Sequence, residues 1–230
     1  MNESSMSFFL TYFARALMLL LVMPVTNSMR GLAAKWMGDD TADKQGRITL
    51  NPFVHLDLLG SLMIMLIGFG WSKPMPINYA NMKNRKAGII AVSAAGPLTH
   101  FVSAIICYII VFFIEYSPSL SAMAGTGSML WCIGFILQIL ASVNVCIGTI
   151  NLIPLPPMDG FQIINQFMGQ KFHRWYFANY ANIQRVSTLL IFALFFLPDP
   201  INPLRYLIAF FNSLTVLAAS WVPLLFGARG

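Results

Sequence analysis

Six apolar stretches, at residues 7–29, 53–71, 87–114, 128–153, 187–197 and 205–226, constrain this chain before any other feature does. A helix needs about 20 apolar residues to cross the hydrocarbon of a bilayer, and most of these stretches reach that length. The stretch at 187–197 is shorter, is closed by Pro198-Asp199-Pro200, and needs its flanks to cross. With 57% hydrophobic and 10% charged residues over 230 positions, there is too little polar surface to clothe a water-soluble domain. The sequence therefore predicts an all-α polytopic membrane protein, with a single membrane domain over 1–230 embedded in the lipid bilayer. The formal charge of +6 does not point to nucleic acid, because the Lys and Arg residues flank apolar spans instead of forming one patch. Cys107, Cys132 and Cys146 lie in apolar runs without Cys-x-x-Cys spacing and read as packing residues. Glu3, not a basic residue, precedes the first apolar run, so no cleavable signal peptide is expected.

Charge orients the loops. Residues 30–47 hold Arg30, Lys35, Lys44 and Arg47; residues 72–86 hold Lys73, Lys83, Arg85 and Lys86; residues 160–186 hold Lys171, Arg174 and Arg185. The 115–127 loop holds no cation. If 53–71 crossed the bilayer, two basic loops would lie on opposite sides, against the positive-inside rule. If it dips in and returns, all three face the cytosol. The re-entrant reading is preferred, and Gly60, Gly68, Gly70 and the exit Trp71-Ser-Lys-Pro-Met-Pro76 suit backbone buried against protein at membrane depth. Before it, Gly46-Arg-Ile-Thr-Leu50 alternates like a short β-strand.

One carboxylate stands apart. In Asn151-Leu-Ile-Pro-Leu-Pro-Pro-Met-Asp159-Gly160, the residues Pro154, Pro156 and Pro157 end an apolar helix, and a short linker delivers Asp159. An acid at membrane depth costs about 2.5–3.5 kcal/mol or more unless a cation, a metal, a proton or water meets it. Upstream, Asn144, Gly148 and Asn151 share one helical face, where small and amide residues serve close packing and interhelical hydrogen bonds. Downstream, residues 166–230 read as an interfacial segment and C-terminal membrane helices. Lys171-Phe-His-Arg-Trp-Tyr176 is the interfacial part, with His173 a surface group, and Trp221 an interfacial anchor.

The pattern Asn-x-x-Pro-x-x-x-x-Asp-Gly at 151–160 resembles the third conserved element of site-2 proteases, which are intramembrane zinc metallopeptidases. Gly38-Asp39-Asp40-Thr41-Ala42, Gly46-Arg-Ile-Thr-Leu-Asn-Pro-Phe-Val-His55-Leu-Asp57, Gly70-Trp-Ser-Lys-Pro-Met-Pro-Ile-Asn78 and Ala95-Gly-Pro-Leu98 follow in the same order and spacing. Together they resemble the compact bacterial branch without a PDZ domain, over residues 26–165. The resemblance implies a site-2-protease-like helical core in a bacterial cytoplasmic membrane, with a groove that admits another protein's transmembrane segment. It also implies a His-Glu-x-x-His helix at 26–30, in which two histidines one turn apart bind zinc with the downstream Asp and the Glu is general base. This chain has Thr26-Asn27-Ser28-Met29-Arg30 there, and none of its three histidines precedes His55. His100 stands where the branch has Asn.

One carboxylate cannot hold a catalytic zinc ion. The expectation is a catalytically inactive relative with no catalytic role for Thr26, Asn27 or Arg30, no cofactor, and Asn151, Asp159 and Gly160 as the family-matched remnant. Thr26 and Arg30 share a helical face, so Arg30 is expected to point toward the metal's place and pair with Asp159. Such a protein would be a binding, scaffold or regulatory subunit for a membrane-protein client or a larger membrane complex. Two readings stand beside it. An active metallopeptidase would have to place zinc on His55, His100 and Asp159. An ion or proton pathway would use a polar cluster of Arg30, His55, Asp57, His100, Asn144 and Asp159, although no transporter-like internal repeat is visible.

Overall fold

Proline and glycine divide the apolar sequence into helices of unequal length. In the computed structural model, which describes residues 3–227, α1 (Glu3–Leu17) passes through a π-helical turn (Met18–Val22) into α2 (Met23–Trp36). Pro24 offers no N–H to the preceding turn, and a wider turn beside it is how a continuous helix absorbs that defect. Next come α3 (Thr41–Lys44), α4 (Leu58–Ile67), α5 (Arg85–Tyr116), α6 (Pro118–Met123) and α7 (Met129–Asn151). The chain ends with α8 (Asp159–Asn165), α9 (Gln170–Ala178), α10 (Tyr180–Phe196), α11 (Pro203–Ala219) and α12 (Trp221–Leu225). Among the described residues, four helical stretches are long and apolar enough to cross a membrane: Ser4–Trp36, Arg85–Tyr116, Met129–Asn151 and Pro203–Leu225. The protein is thus an all-α, multi-pass membrane protein. The stretch at 187–197 is the second half of α10, whose 17 residues sit at the lower limit for a span.

The strand expected at Gly46–Leu50 does not form, and no strand occurs among the described residues. Alternation needs a ladder partner, and here the Thr49 carbonyl instead accepts from Ser28 Oγ and meets His55 Nε2, each at 2.8 Å.

The core forms where α5 packs on α7, α2, α8 and α11. Ala14, Ala104 and Ala141 are wholly buried and let the backbones approach. On α5, Leu98, Val102, Ile106 and Ile110 recur every fourth residue on an exposed face, the pattern of a lipid-facing surface. The three cysteines are free, Cys107 buried and the others half-buried.

The ten residues of α4 reach about 15 Å, half the hydrocarbon thickness. The chain turns at Gly68 (φ 80°) and runs back along the helix. Gly60 faces the Trp71 carbonyl and Gly70 the Gly60 carbonyl so closely that a Cβ on either would strike backbone. Lys73 N donates to His55 O at 2.7 Å, so the two ends of this hairpin meet. Its tip is held by Arg15, whose Nη1 donates to Met65 O at 2.6 Å and Leu66 O at 2.9 Å, carbonyls that the last turn of α4 leaves unpaired.

Candidate functional site

Glycine allows two backbones to close around one acid. Asp159 opens α8, and Gly160 lies so near the Leu152 and Ile153 carbonyls that no side chain fits, which folds α8 tightly under the end of α7. Across from it, α2 presents Thr26, Asn27 and Arg30, and α5 presents the bare Cα of Gly96, where a Cβ would collide with the Arg30 guanidinium. Between them lies a cavity of about 430 Å³. It is lined by Met23, Thr26, Asn27 and Arg30, by the hairpin's return limb at Gly70, Trp71 and Ser72, by Ser93 and His100, and by Asn151, Asp159 and Gln162.

Arg30 meets Asp159 as a fork on a fork. Nη1 donates to Oδ1 at 3.0 Å and Nη2 donates to Oδ2, with the two side chains only 22% and 12% exposed. A guanidinium stays charged and matches a carboxylate with two parallel bonds, so it cancels the charge of Asp159 without a metal. Beside this pair, Thr26 Oγ1 and Asn27 Nδ2 are buried with no hydrogen-bond partner, while Asn27 Oδ1 accepts from Ser72 Oγ at 3.1 Å. Leaving a buried polar group unpaired costs about 1–3 kcal/mol, so these two atoms are places where a ligand group or water would be held.

His100 is fixed from behind. Asn144 Nδ2 donates to Leu140 O at 2.8 Å, so its Oδ1 is the acceptor for His100 Nδ1, also at 2.8 Å. The neutral ring then carries its lone pair on Nε2. His55 and Asp57 lie outside the cavity, at the base of the hairpin. His55 is wholly buried against Thr49, and burial holds its imidazole below the usual 6.5, with Arg47 adding to the shift and the Thr49 carbonyl opposing it. Asp57 caps α4 by accepting from Gly60 N at 2.8 Å. Of the residues singled out from sequence, the cavity gathers Thr26, Asn27, Arg30, His100, Asn151 and Asp159; Asn144 and Gly160 support it from outside.

Among the described residues no three His, Cys, Asp or Glu side chains form a metal-binding group. Of those residue types the cavity lining holds His100 and Asp159, and both oxygens of Asp159 face the guanidinium. This donor set does not fit a tetrahedral zinc with three protein ligands.

Sequence reasoning missed three anchors. Arg15 at the hairpin tip is one. Asp39 is another: wholly buried, it accepts from Thr41 N at 3.1 Å, Thr41 Oγ1, Asn78 N at 2.7 Å and Asn81 Nδ2 at 2.9 Å, tying the end of α2 to the chain leaving the hairpin. Burial pushes its carboxyl up, but these bonds together outweigh burial and hold it below the usual 3.8. His173, expected as a surface group, is half-buried with Nε2 2.8 Å from Asn165 O. The signal for Asp39 was its place in the Gly38–Ala42 block; Arg15 and His173 had none.

Residues 31–194 match peptidase family M50. The chain is 35% identical over 164 residues to the Bacillus subtilis (strain 168) protein named "Putative zinc metalloprotease YwhC", covering 68% of this chain and 73% of that one. No solved structure matches. With four stretches long and apolar enough to cross a membrane, α4 and its return limb beside the cavity and Asp159-Gly160 opening α8, the chain is a member of peptidase family M50, the site-2 proteases.

Proposed function

We propose that this protein is a catalytically inactive site-2-protease-like subunit that holds segments of membrane proteins instead of cleaving them. The observation that supports this reading most is the two-point ion pair of Arg30 with Asp159. In the family the resemblance implies, that carboxylate would ligate zinc; here it already has its counter-charge. Asn27 cannot act as the general base of a metal-bound water, because a carboxamide accepts no proton at neutral pH. What the cavity offers is hydrogen-bonding capacity: Thr26 Oγ1, Asn27 Nδ2, and the amides of Asn151 and Gln162. These groups suit the paired donors and acceptors of an unwound peptide. In this reading residues 53–78 form the re-entrant segment, and its return limb supplies further backbone groups by strand addition.

Metal content tests the reading first. After zinc loading and gel filtration in detergent, the purified protein is expected to retain less than about one tenth of an equivalent. Near one equivalent, lost in Asp159→Ala, would overturn the proposal and favour an active metallopeptidase with unusual ligands. The triple variant Thr26→His, Asn27→Glu, Arg30→His is expected to gain zinc, because Asp159 stands opposite those positions. For the client, a photo-crosslinker at Ser72 should capture a co-reconstituted transmembrane peptide and leave it intact; cleaved peptide would refute the inactive reading.

A further inference from the structure

The start of α5, the outer face of α9 and the first half of α10 carry cations that no ion pair balances among the described residues. Arg85, Lys86, Lys171, Arg174 and Arg185 are exposed, and none joins an ion pair among the described residues. No acidic residue occurs between Asp57 and Glu115, or between Asp159 and Asp199. The acids of the loop after α2 are already engaged: Asp40 by Lys44 and Asp43 by Lys35, each at 2.7 Å, and Asp39 by its hydrogen bonds. On α9, Lys171, Arg174 and Trp175 share the exposed face, while Phe172 and Tyr176 turn inward. Phe167 is exposed, and Lys86 Nζ stands 4.2 Å from its ring centroid, which joins the first turn of α5 and the α8–α9 connection into one surface. Cations beside exposed aromatic rings on a short amphipathic helix suit a headgroup layer, with the rings among glycerol groups and the cations on phosphates.

The same helix is fastened to the site. The Phe161 and Tyr176 rings lie 5.0 Å apart, and His173 Nε2 meets Asn165 O at 2.8 Å. Phe161 and Asn165 belong to α8, whose first residue is Asp159. Whatever seats α9 therefore seats that acid.

We propose that α9 and the start of α5 form a docking surface for anionic phospholipid headgroups in the leaflet these cations face, and that this docking positions Asp159 against Arg30. The inference rests on charge and on the amphipathic face, and it holds whether or not the cavity is catalytic.

The test uses the full chain in mixed micelles and in nanodiscs of phosphatidylcholine with or without phosphatidylglycerol. Native mass spectrometry is expected to find phosphatidylglycerol retained in preference to phosphatidylcholine, and Tm to rise with phosphatidylglycerol. Each cation near an anionic surface strengthens partition about fivefold, so Lys171→Gln with Arg174→Gln should lower the preference by up to about 25-fold. Lys44→Gln with Asp40→Asn, which removes a pair that is already neutral, should leave it unchanged. A cysteine at Gln162, on α8 and in the cavity lining, should react more slowly with a soluble maleimide when phosphatidylglycerol is present, and this slowing should vanish in the α9 double variant. Equal retention of the two lipids, or a preference untouched by the double variant, would overturn the surface. An equal Tm rise from inorganic phosphate alone would replace it with a free-anion site. A Gln162→Cys rate indifferent to lipid would overturn the coupling to Asp159.

Discussion

At the scale of single residues, the Arg30–Asp159 pair is the largest electrostatic commitment in the site. Removing either partner strands a mostly buried charge, and each single Ala variant is expected to lose about 3–5 kcal/mol. The double variant should lose much less than the sum, so that a thermodynamic cycle read from unfolding in detergent returns about 2 kcal/mol or more of coupling; additive losses would refute the pair. Gly96→Ala offers an independent probe, since the nearest atoms a Cβ would meet all belong to the Arg30 guanidinium. It should displace that group and destabilise by about 1–3 kcal/mol, and the loss should shrink in an Arg30→Ala background. Two buried groups outside the membrane-crossing helices contribute to the pH dependence. His55 has a folded pKa below 6.5, so its contribution is complete above that pH and is lost as pH falls from 6.5 toward the lowered value. Asp39, held below 3.8, contributes fully above 3.8 and loses its contribution as pH falls through its lowered value. Unfolding midpoints followed from neutral to acid pH should show both losses, with His55→Gln removing the first and Asp39→Asn the second.

At the scale of elements, the hairpin over 58–73 depends on glycine and on one remote cation. Ala at Gly60 or Gly70 would press a methyl onto the opposite limb's backbone, which cannot step aside, whereas Gly134 on α7 has no neighbour within 4 Å. Gly134→Ala is therefore expected to stabilise by about 0.5–1 kcal/mol and the hairpin variants to open the return limb. Arg15→Ala should also loosen it, because a hydrogen bond to a charged group contributes about 1.5–3 kcal/mol and two carbonyls lose their donor. Maleimide labelling of Ser72→Cys reports both: faster reaction in Arg15→Ala and Gly70→Ala is the expected result, and unchanged rates would mean that the hairpin needs neither support.

At the scale of the whole molecule, the positive-inside rule makes a topological prediction. Cysteines placed in residues 38–47, 82–86 and 168–171 should be labelled from one side of sealed vesicles, and cysteines in 117–127 from the other. The membrane class and the long helices were legible in the sequence because a bilayer acts on local composition: any crossing backbone must satisfy itself within one apolar helix. The Arg30–Asp159 pair, although 129 residues apart in sequence, was legible through the resemblance, which implies that residues 26–30 face Asp159, with helical period putting Arg30 on the face of Thr26. The strand at Gly46–Leu50 was misread because alternation is a local pattern, while a strand exists only with a partner, and the Thr49 carbonyl had two other groups to bond. His55 and Asp57 shared the residue types of a site yet serve the base of the hairpin, and Arg15 reached a helix end 50 residues away. By itself the sequence determined the membrane environment and the long helices, both properties of neighbouring residues. Beyond that pair, which polar groups line the cavity together, and which carbonyls Arg15 caps, only the tertiary structure decided, because those contacts form between residues that chain proximity does not bring together.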